Sequence, residues 1–329
     1  MYLNSVNHGP VQVSIKSYPI IIYIILKMIK QSIRSISLIS LAFVMFIGCS
    51  QAEPEEVLLT YPNHQLLIEA WPLMDLLQSS ANLILIDARE ETNGEYLPGA
   101  THFPAVRNLT DQDHPIASFL IGPEEFQEKM RAIGLDNRSP VVIYDDGNNL
   151  AAARLFYALE NYGFSNAYLL NGGIQGWKAS GLRTIDYSIT REPGTFTINR
   201  DEPVSCDISY VMEAMGDPNK IIFDARSAAE FSGEDVRSER GGHIPNAVNL
   251  EWNKVLEPEG VPYFLPAADI QKMLTERGIT PDKEVIPHCH TNVRGSHAYF
   301  TLRLMGYDSV RPYEGSWAEY GNRSDVSIQ

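Results

Sequence analysis

The chain is expected to be an α/β protein built from two copies of one unit, each a mainly parallel sheet flanked by helices. Three observations carry that expectation. Short apolar runs alternate with helix-length amphipathic segments, as in parallel sheets whose crossover helices cover both faces. The runs come back: LILIDARE at residues 83–90 returns as KIIFDARS at 220–227, and YLPGATHFP at 96–104 as HIPNAVNLE at 243–251. VVIYDDGNNLAAARLFYALENYGF at 141–164 returns as EVIPHCHTNVRGSHAYFTLRLMGY at 284–307. One constant offset then pairs Asp146 with Cys289, Leu159 with Leu302 and Gly163 with Gly306. Such internal repetition defines an architecture before any single element is assigned.

In chain order, residues 1–49 stand apart. They hold four basic residues (Lys16, Lys27, Lys30 and Arg34) and no acid. Lys30 and Arg34 precede the apolar run SLISLAFVMFIG at 37–48, and Cys49 follows it. A basic stretch, a short apolar stretch and small residues at its end describe an export signal. The run falls short of the roughly 20 residues that cross a bilayer. FIGC at 46–49 resembles a bacterial lipobox, with Phe46 where Leu is usual, which makes Cys49 the candidate lipid attachment site. An uncleaved anchor, supported by YPIIIYIILK at 18–27, is the alternative, and Met28 is a second candidate start. The expected location is the bacterial periplasm or cell envelope, tethered to the membrane through Cys49.

All 41 Asp and Glu lie beyond this segment, so the body is more acidic than the formal charge of −15. A surface that acidic repels a phosphate backbone, which argues against a nucleic-acid partner. With 44% hydrophobic and 20% charged residues, the body is that of a globular protein.

The first unit runs over residues 58–182 and the second over 201–321, with a linker at 183–200. EEFQEKMRAIG at 124–134 and ADIQKMLTERG at 268–278 are helices, with apolar residues three to four apart and Gly after the last turn. REPGTFTINRDEP at 191–203 carries turn residues and no helical period. Only Cys49, Cys206 and Cys289 occur, which is no disulfide framework. Cys206 sits beside a helix cap, Ser205 or Asp207, and reads as a packing residue; a bridge to Cys289 is not settled by spacing.

Cys289 directly follows the strand-like EVI and opens the segment HCHTNVRGSHAYF at 288–300. Ligands on parallel sheets sit at the carboxyl ends of strands, where the next helix begins. The residues alone leave four readings of this cysteine: a core thiol, a zinc ligand, a phosphatase nucleophile or a sulfur carrier.

Together the tandem DAR, GHIPNA, strand–cysteine loop–helix and EGSW segments resemble the two-domain rhodanese-like sulfurtransferases. The resemblance implies two related α/β domains, with the catalytic cysteine in the second; Asp146 stands in its place in the first. It also implies that Cys289 accepts a sulfane sulfur from a small-molecule donor and passes it to a thiophilic acceptor, with no cofactor. A sulfur carrier works as a thiolate. Three influences would favour the anion: the backbone N–H groups of His290, Thr291, Asn292 and Val293 as a nest, the start of the following helix, and the cation Arg294, which also suits an anionic donor.

H-C-x4-R at 288–294 is one residue short of the H-C-x5-R loop of cysteine phosphatases, and a smaller ring of donors suits one terminal sulfur. Adjacent His288, Cys289 and His290 rarely share one tetrahedral zinc site, and no C-x2-C pair exists. His288, His290 and His297 read as loop or packing residues. Two departures from the family pattern stand out. Asn292 replaces a common Gly, at a place where the chain needs a left-handed turn that Asn tolerates. Glu230 occupies the position of a donor-binding cation in several members, with Arg237 and Arg240 nearby in sequence. The loop differs from the Gly-Ser-Gly-Val-Thr type of mercaptopyruvate users, which favours thiosulfate as donor over 3-mercaptopyruvate; a low-turnover sulfur-binding or protein-interaction module is the other alternative. Asp87–Arg89 and Asp224–Arg226 recur in both units and are expected to be structural ion pairs, and Trp177 and Trp317 packing residues.

Overall fold

The computed structural model describes residues 60–200 and 202–329. The export segment and Cys49 lie outside the described residues.

In the first copy the order is β1 (Leu67–Ile68), α1 (Ala70–Ser79), β2 (Ile84–Asp87), β3 (Ala100–His102), α2 (Ala105–Asn108), α3 (Pro123–Ala132), β4 (Val141–Tyr144), α4 (Leu150–Asn161), β5 (Ala167–Leu170) and α5 (Gly173–Ala179). Its strands run β1-β5-β4-β2-β3, every pair parallel. All four residues of β2 and of β4 are buried, which is why ILID and VVIY read as continuous apolar runs.

The second copy repeats the plan: α6 (Ile208–Ala214), β6 (Lys220–Asp224), α7 (Ala228–Ser232), β7 (Val248–Asn249), α8 (Ala267–Thr275), β8 (Glu284–His288), α9 (Val293–Leu304) and α10 (Ser316–Tyr320). Its sheet is β7-β6-β8, again parallel. The outer strands of the first copy survive here as single parallel bridges, Val285 to Val310 and Cys206 to Tyr313.

Local chemistry sets the helix ends. Pro123 opens α3, Glu124 and Glu125 lie in its first turn, and Lys129 and Arg131 in its last, each charge matched to the helix dipole. Asp207 caps α6 by accepting from the Tyr210 N–H. Ser227 and Glu230 form a reciprocal capping box at the start of α7.

The two copies share one apolar core. Helices α4 and α9, equivalent by the repeat, meet at its centre. Phe156 and Phe300 cross edge to face at 5.0 Å, and Tyr157 meets Tyr299 at 5.7 Å. Glu160 of α4 accepts from the Tyr299 hydroxyl and pairs with Arg303 at 3.2 Å. The segment at 191–203 forms no helix or strand where described, yet Phe196 is fully buried, exchanging bonds with Leu135 and Arg131 of the first copy.

The paired Asp-Arg motifs are buried ion pairs in both copies, Arg89 to Asp87 at 2.5 Å and Arg226 to Asp224 at 2.6 Å. Trp177 and Trp317 are both core residues, with the Arg226 guanidinium 4.3 Å above the Trp317 ring. Among the described residues no helix is long and apolar enough to cross a membrane.

Candidate active site

Cys289 follows β8 directly, and α9 begins at Val293. Between them the chain must reverse within three residues. Asn292 makes this turn in the left-handed region, at φ 56° and ψ 9°. Asn149, its equivalent ahead of α4, does the same at φ 60° and ψ 18°. The loop is anchored from the other side by α10: Trp317 N–H donates to the Cys289 carbonyl at 2.9 Å and Ala318 N–H to that of His290 at 2.8 Å. Cys289 N–H in turn donates to the Ser316 hydroxyl. The Cys289 side chain is completely buried.

The first copy displays what this loop geometry binds. There the Asp145 carboxylate curls into its own loop and accepts from the N–H groups of Gly147, Asn149, Ala151 and Ala152 at 2.9–3.2 Å. Its nest is filled by the chain's own carboxyl oxygens, although burial pushes the Asp145 pKa up. In the second copy His288 stands where Asp145 stands, and its ring turns to the Cys289 carbonyl instead. No protein group among the described residues accepts from the N–H groups of residues 290–294. The N–H groups of this loop are left without an acceptor of the protein's own, and Cys289 opens the loop. The structure thus brings Cys289, His290, Thr291, Asn292, Val293 and Arg294 together at one strand end.

Arg294 is not a free cation. Its guanidinium grips the Glu230 carboxylate with two parallel bonds, at 2.5 and 2.8 Å. Burial works against the Arg294 charge, but the Glu230 bond and the neighbouring Cys289 sulfur outweigh it and hold the guanidinium above its ordinary value. Burial alone would raise Glu230; the Arg294 bonds win and bring it down to about 2. Glu230 is 1% exposed and also caps α7, so it is fixed from two sides. Arg237 reaches Glu230 at 3.7 Å with a half-exposed side chain. Arg240 turns to the Val326 and Tyr320 carbonyls and takes no part.

Behind the loop lies a group that sequence reasoning missed. Glu314, buried, accepts from the Asn292 side-chain amide at 2.7 Å. The same carboxylate pairs with Arg154 at 2.8 Å and accepts from the Tyr157 hydroxyl at 2.6 Å. Nothing in the spacing of residues 154 and 314 announces this; only the position of Glu314 inside the repeated EGSW segment was visible.

The chain matches the rhodanese-like domain twice, over residues 72–180 and 207–323. It belongs to the rhodanese-like family. The thiosulfate sulfurtransferase of Azotobacter vinelandii is 33% identical over 260 residues, covering 76% of this chain and 92% of that protein. The sulfur carrier protein TtuD of Thermus thermophilus is 32% identical over 270 residues, covering 78% and 91%. The crystal structure of SseA from Escherichia coli, a 3-mercaptopyruvate sulfotransferase, matches with a TM-score of 0.68 at 27% identity, over 77% of this chain and 99% of that one.

Within this rhodanese-like frame the other candidates fall into place. His288 is fully buried, 3.8 Å from Asp224, and burial lowers its pKa; His290 is half-buried and lowered for the same reason. His297 is buried, stacked on Phe264, and burial depresses it to about 3. All three are therefore neutral near pH 7. Among the described residues no three His, Cys, Asp or Glu side chains gather as a metal-binding set. Cys206 and Cys289 are both free thiols. Cys206 borders a cavity of about 770 Å³ shared with Tyr157, Tyr210, Arg311 and Glu314. Burial pushes its thiol far up, so this cavity holds no ready nucleophile.

Proposed function

We propose that the protein is a sulfurtransferase in which Cys289 carries the sulfur. The observation that supports this best is the contrast between the two loops. One nest is closed by Asp145, while its equivalent has unpartnered N–H groups around a cysteine. A persulfide is an anion with one terminal sulfur, which suits a ring of N–H donors at a helix start. In the first half-reaction the Cys289 thiolate attacks the sulfane sulfur of thiosulfate. The sulfur–sulfur bond of the donor breaks and sulfite leaves with its electron pair. In the second, cyanide or a thiolate takes the terminal sulfur and the Cys289 thiolate is regenerated. Arg294 and the N–H groups of His290, Thr291, Asn292 and Val293 form the cradle. The chemistry needs no cofactor, since the cysteine itself is the carrier.

Two features favour a second reading, a slow sulfur-carrying module. Cys289 is completely buried, and Arg294 already has a carboxylate partner. Thiosulfate, with two charges, must compete with Glu230 for that cation; Arg237 is placed to help. 3-Mercaptopyruvate, with one carboxylate, is the alternative donor.

Intact-mass measurement after incubation with thiosulfate tests the reading. We expect a gain of one sulfur, absent in Cys289→Ser and removed by cyanide. No gain with thiosulfate or with 3-mercaptopyruvate would overturn it. Slow cyanide-driven turnover after full loading would select the carrier reading.

The proposal includes export and tethering through a lipid on Cys49, supported by the basic and apolar pattern at 30–49. Cys49→Ala would then move the protein from the membrane fraction to the soluble one; unchanged partitioning would remove the lipid.

A further inference from the structure

We propose that Glu314 is a positioning residue through which the first copy holds the sulfur-carrying loop of the second. The inference rests on Cys289 being the carrier, and it explains what the copy without a nucleophile contributes.

The path is continuous. From the first copy, Arg154 places Nη2 2.8 Å from Glu314 Oε1, the Tyr157 hydroxyl donates to Oε2 at 2.6 Å, and Leu120 N–H donates to Oε1 at 3.0 Å. Arg154 is itself aimed by the Ser118 carbonyl at 2.8 Å. From the second copy, the Asn292 amide donates to Oε2 at 2.7 Å. Asn292 is the left-handed residue that reverses the chain after Cys289 and lets α9 begin. The side chains that meet at Glu314 are buried: Arg154, Tyr157 and Asn292 at 0% and Glu314 itself at 6% exposure. A charged acceptor with four donors at such depth fixes geometry strongly, because an unmade bond there is costly.

The repeat supplies an internal control. At the mirrored place the first copy has Asn171 for Glu314 and the second has His297 for Arg154. Phe264 N–H donates to Asn171 there, just as Leu120 N–H donates to Glu314. The rest is missing: both His297 ring nitrogens lack a partner, and Phe300, at the place of Tyr157, has no hydroxyl. Asn149, the counterpart of Asn292, bonds back to its own Gly147 carbonyl. Thus the backbone contact is common to both sides, whereas the charged path exists only on the side with the cysteine. Copy packing alone requires no such asymmetry, since the mirrored side packs without it. A path that exists only behind the nucleophile serves the loop that holds it.

The test exchanges donor and acceptor. Asn292→Asp sets carboxylate against carboxylate, and adding Glu314→Gln restores one amide, one carboxylate and one Arg154 in the same space. Two readouts are taken on the full chain: the rate at which thiosulfate loads sulfur onto Cys289, and hydrogen exchange of the amides at 290–294. We expect Asn292→Asp to slow loading at least about ten-fold and to speed exchange in the loop, and the double variant to recover both to within about three-fold. A single variant with unchanged loading and exchange would overturn the proposal, and so would a folded double variant no better than the single. Where Asn292→Asp does not fold, Tyr157→Phe removes one bond to Glu314 from the first copy and leaves the loop sequence intact. Faster exchange at 290–294 is expected, and exchange equal to the wild type would overturn it. If the wild type itself gains no sulfur, the carrier reading falls, while loop exchange still decides the role of Glu314.

Discussion

Glu230 governs the charge available beside Cys289. By holding Arg294 in a two-pronged bond, it turns the cation of the cradle into a neutral pair that an anionic donor must open. Glu230→Gln should therefore lower the KM for thiosulfate, by about ten-fold if one full charge is released; steady-state kinetics with thiosulfate and cyanide measure it. The same carboxylate should mark the acid limb of stability. Its pKa is lowered from 4.5 to about 2, so its contribution is complete above about pH 4.5 and is lost as the pH falls toward 2. Thermal denaturation from pH 5 to 2 should lose this component in Glu230→Gln, while an identical acid limb in the variant would contradict the assignment. At this scale the sequence was informative for Cys289, because a cysteine between a strand and a helix start is a local pattern. Glu230 was noticed as a departure, but its grip on Arg294 joins residues 64 apart in the chain and only folding brings them together.

The loops after β4 and β8 have the same turn and opposite contents. Both need a residue with positive φ before the helix, and both use Asn. The left-handed turn at Asn292 was expected from the Gly that the resembled family commonly has there, and the structure has it. The sequence did not disclose that Asp145, and not the aligned Asp146, fills the first nest, because Asp146 points out to solvent while Asp145 is buried. Asp145→Ala should leave buried N–H donors without an acceptor and cost the protein about 3 kcal/mol, read from urea unfolding. No sulfur should load onto the first copy in that variant, because an emptied nest still lacks a thiol. The strands were legible as apolar runs and the helices by their period. The outer strands of the second sheet were not, since one bridge apiece leaves too short a run to read.

The two copies fold as one body around α4 and α9, and that junction carries a titratable liability. The tandem repeat was plain in the sequence, but repetition says nothing about which faces meet. His297 lies on α9 in that shared region, packed against Trp252 and Phe264, with neither ring nitrogen hydrogen bonded. Burial depresses its pKa from 6.5 to about 3. The folded protein keeps this ring neutral while the unfolded chain protonates it below about pH 6.5. Stability from this group is therefore intact above pH 6.5 and declines as the pH falls, by about 1.4 kcal/mol per pH unit until protonation of the folded state near pH 3. That window opens two units above the one set by Glu230, so the two are separable. His297→Leu removes both the proton and the unpartnered nitrogens while keeping an apolar side chain against Phe264. Urea unfolding at pH 7 and at pH 5 should then differ by about 2 kcal/mol less in the variant than in the wild type. An equal pH dependence in the two proteins would mean that His297 gains a proton in the folded state, and with it a hydrogen-bond partner at the junction of the copies.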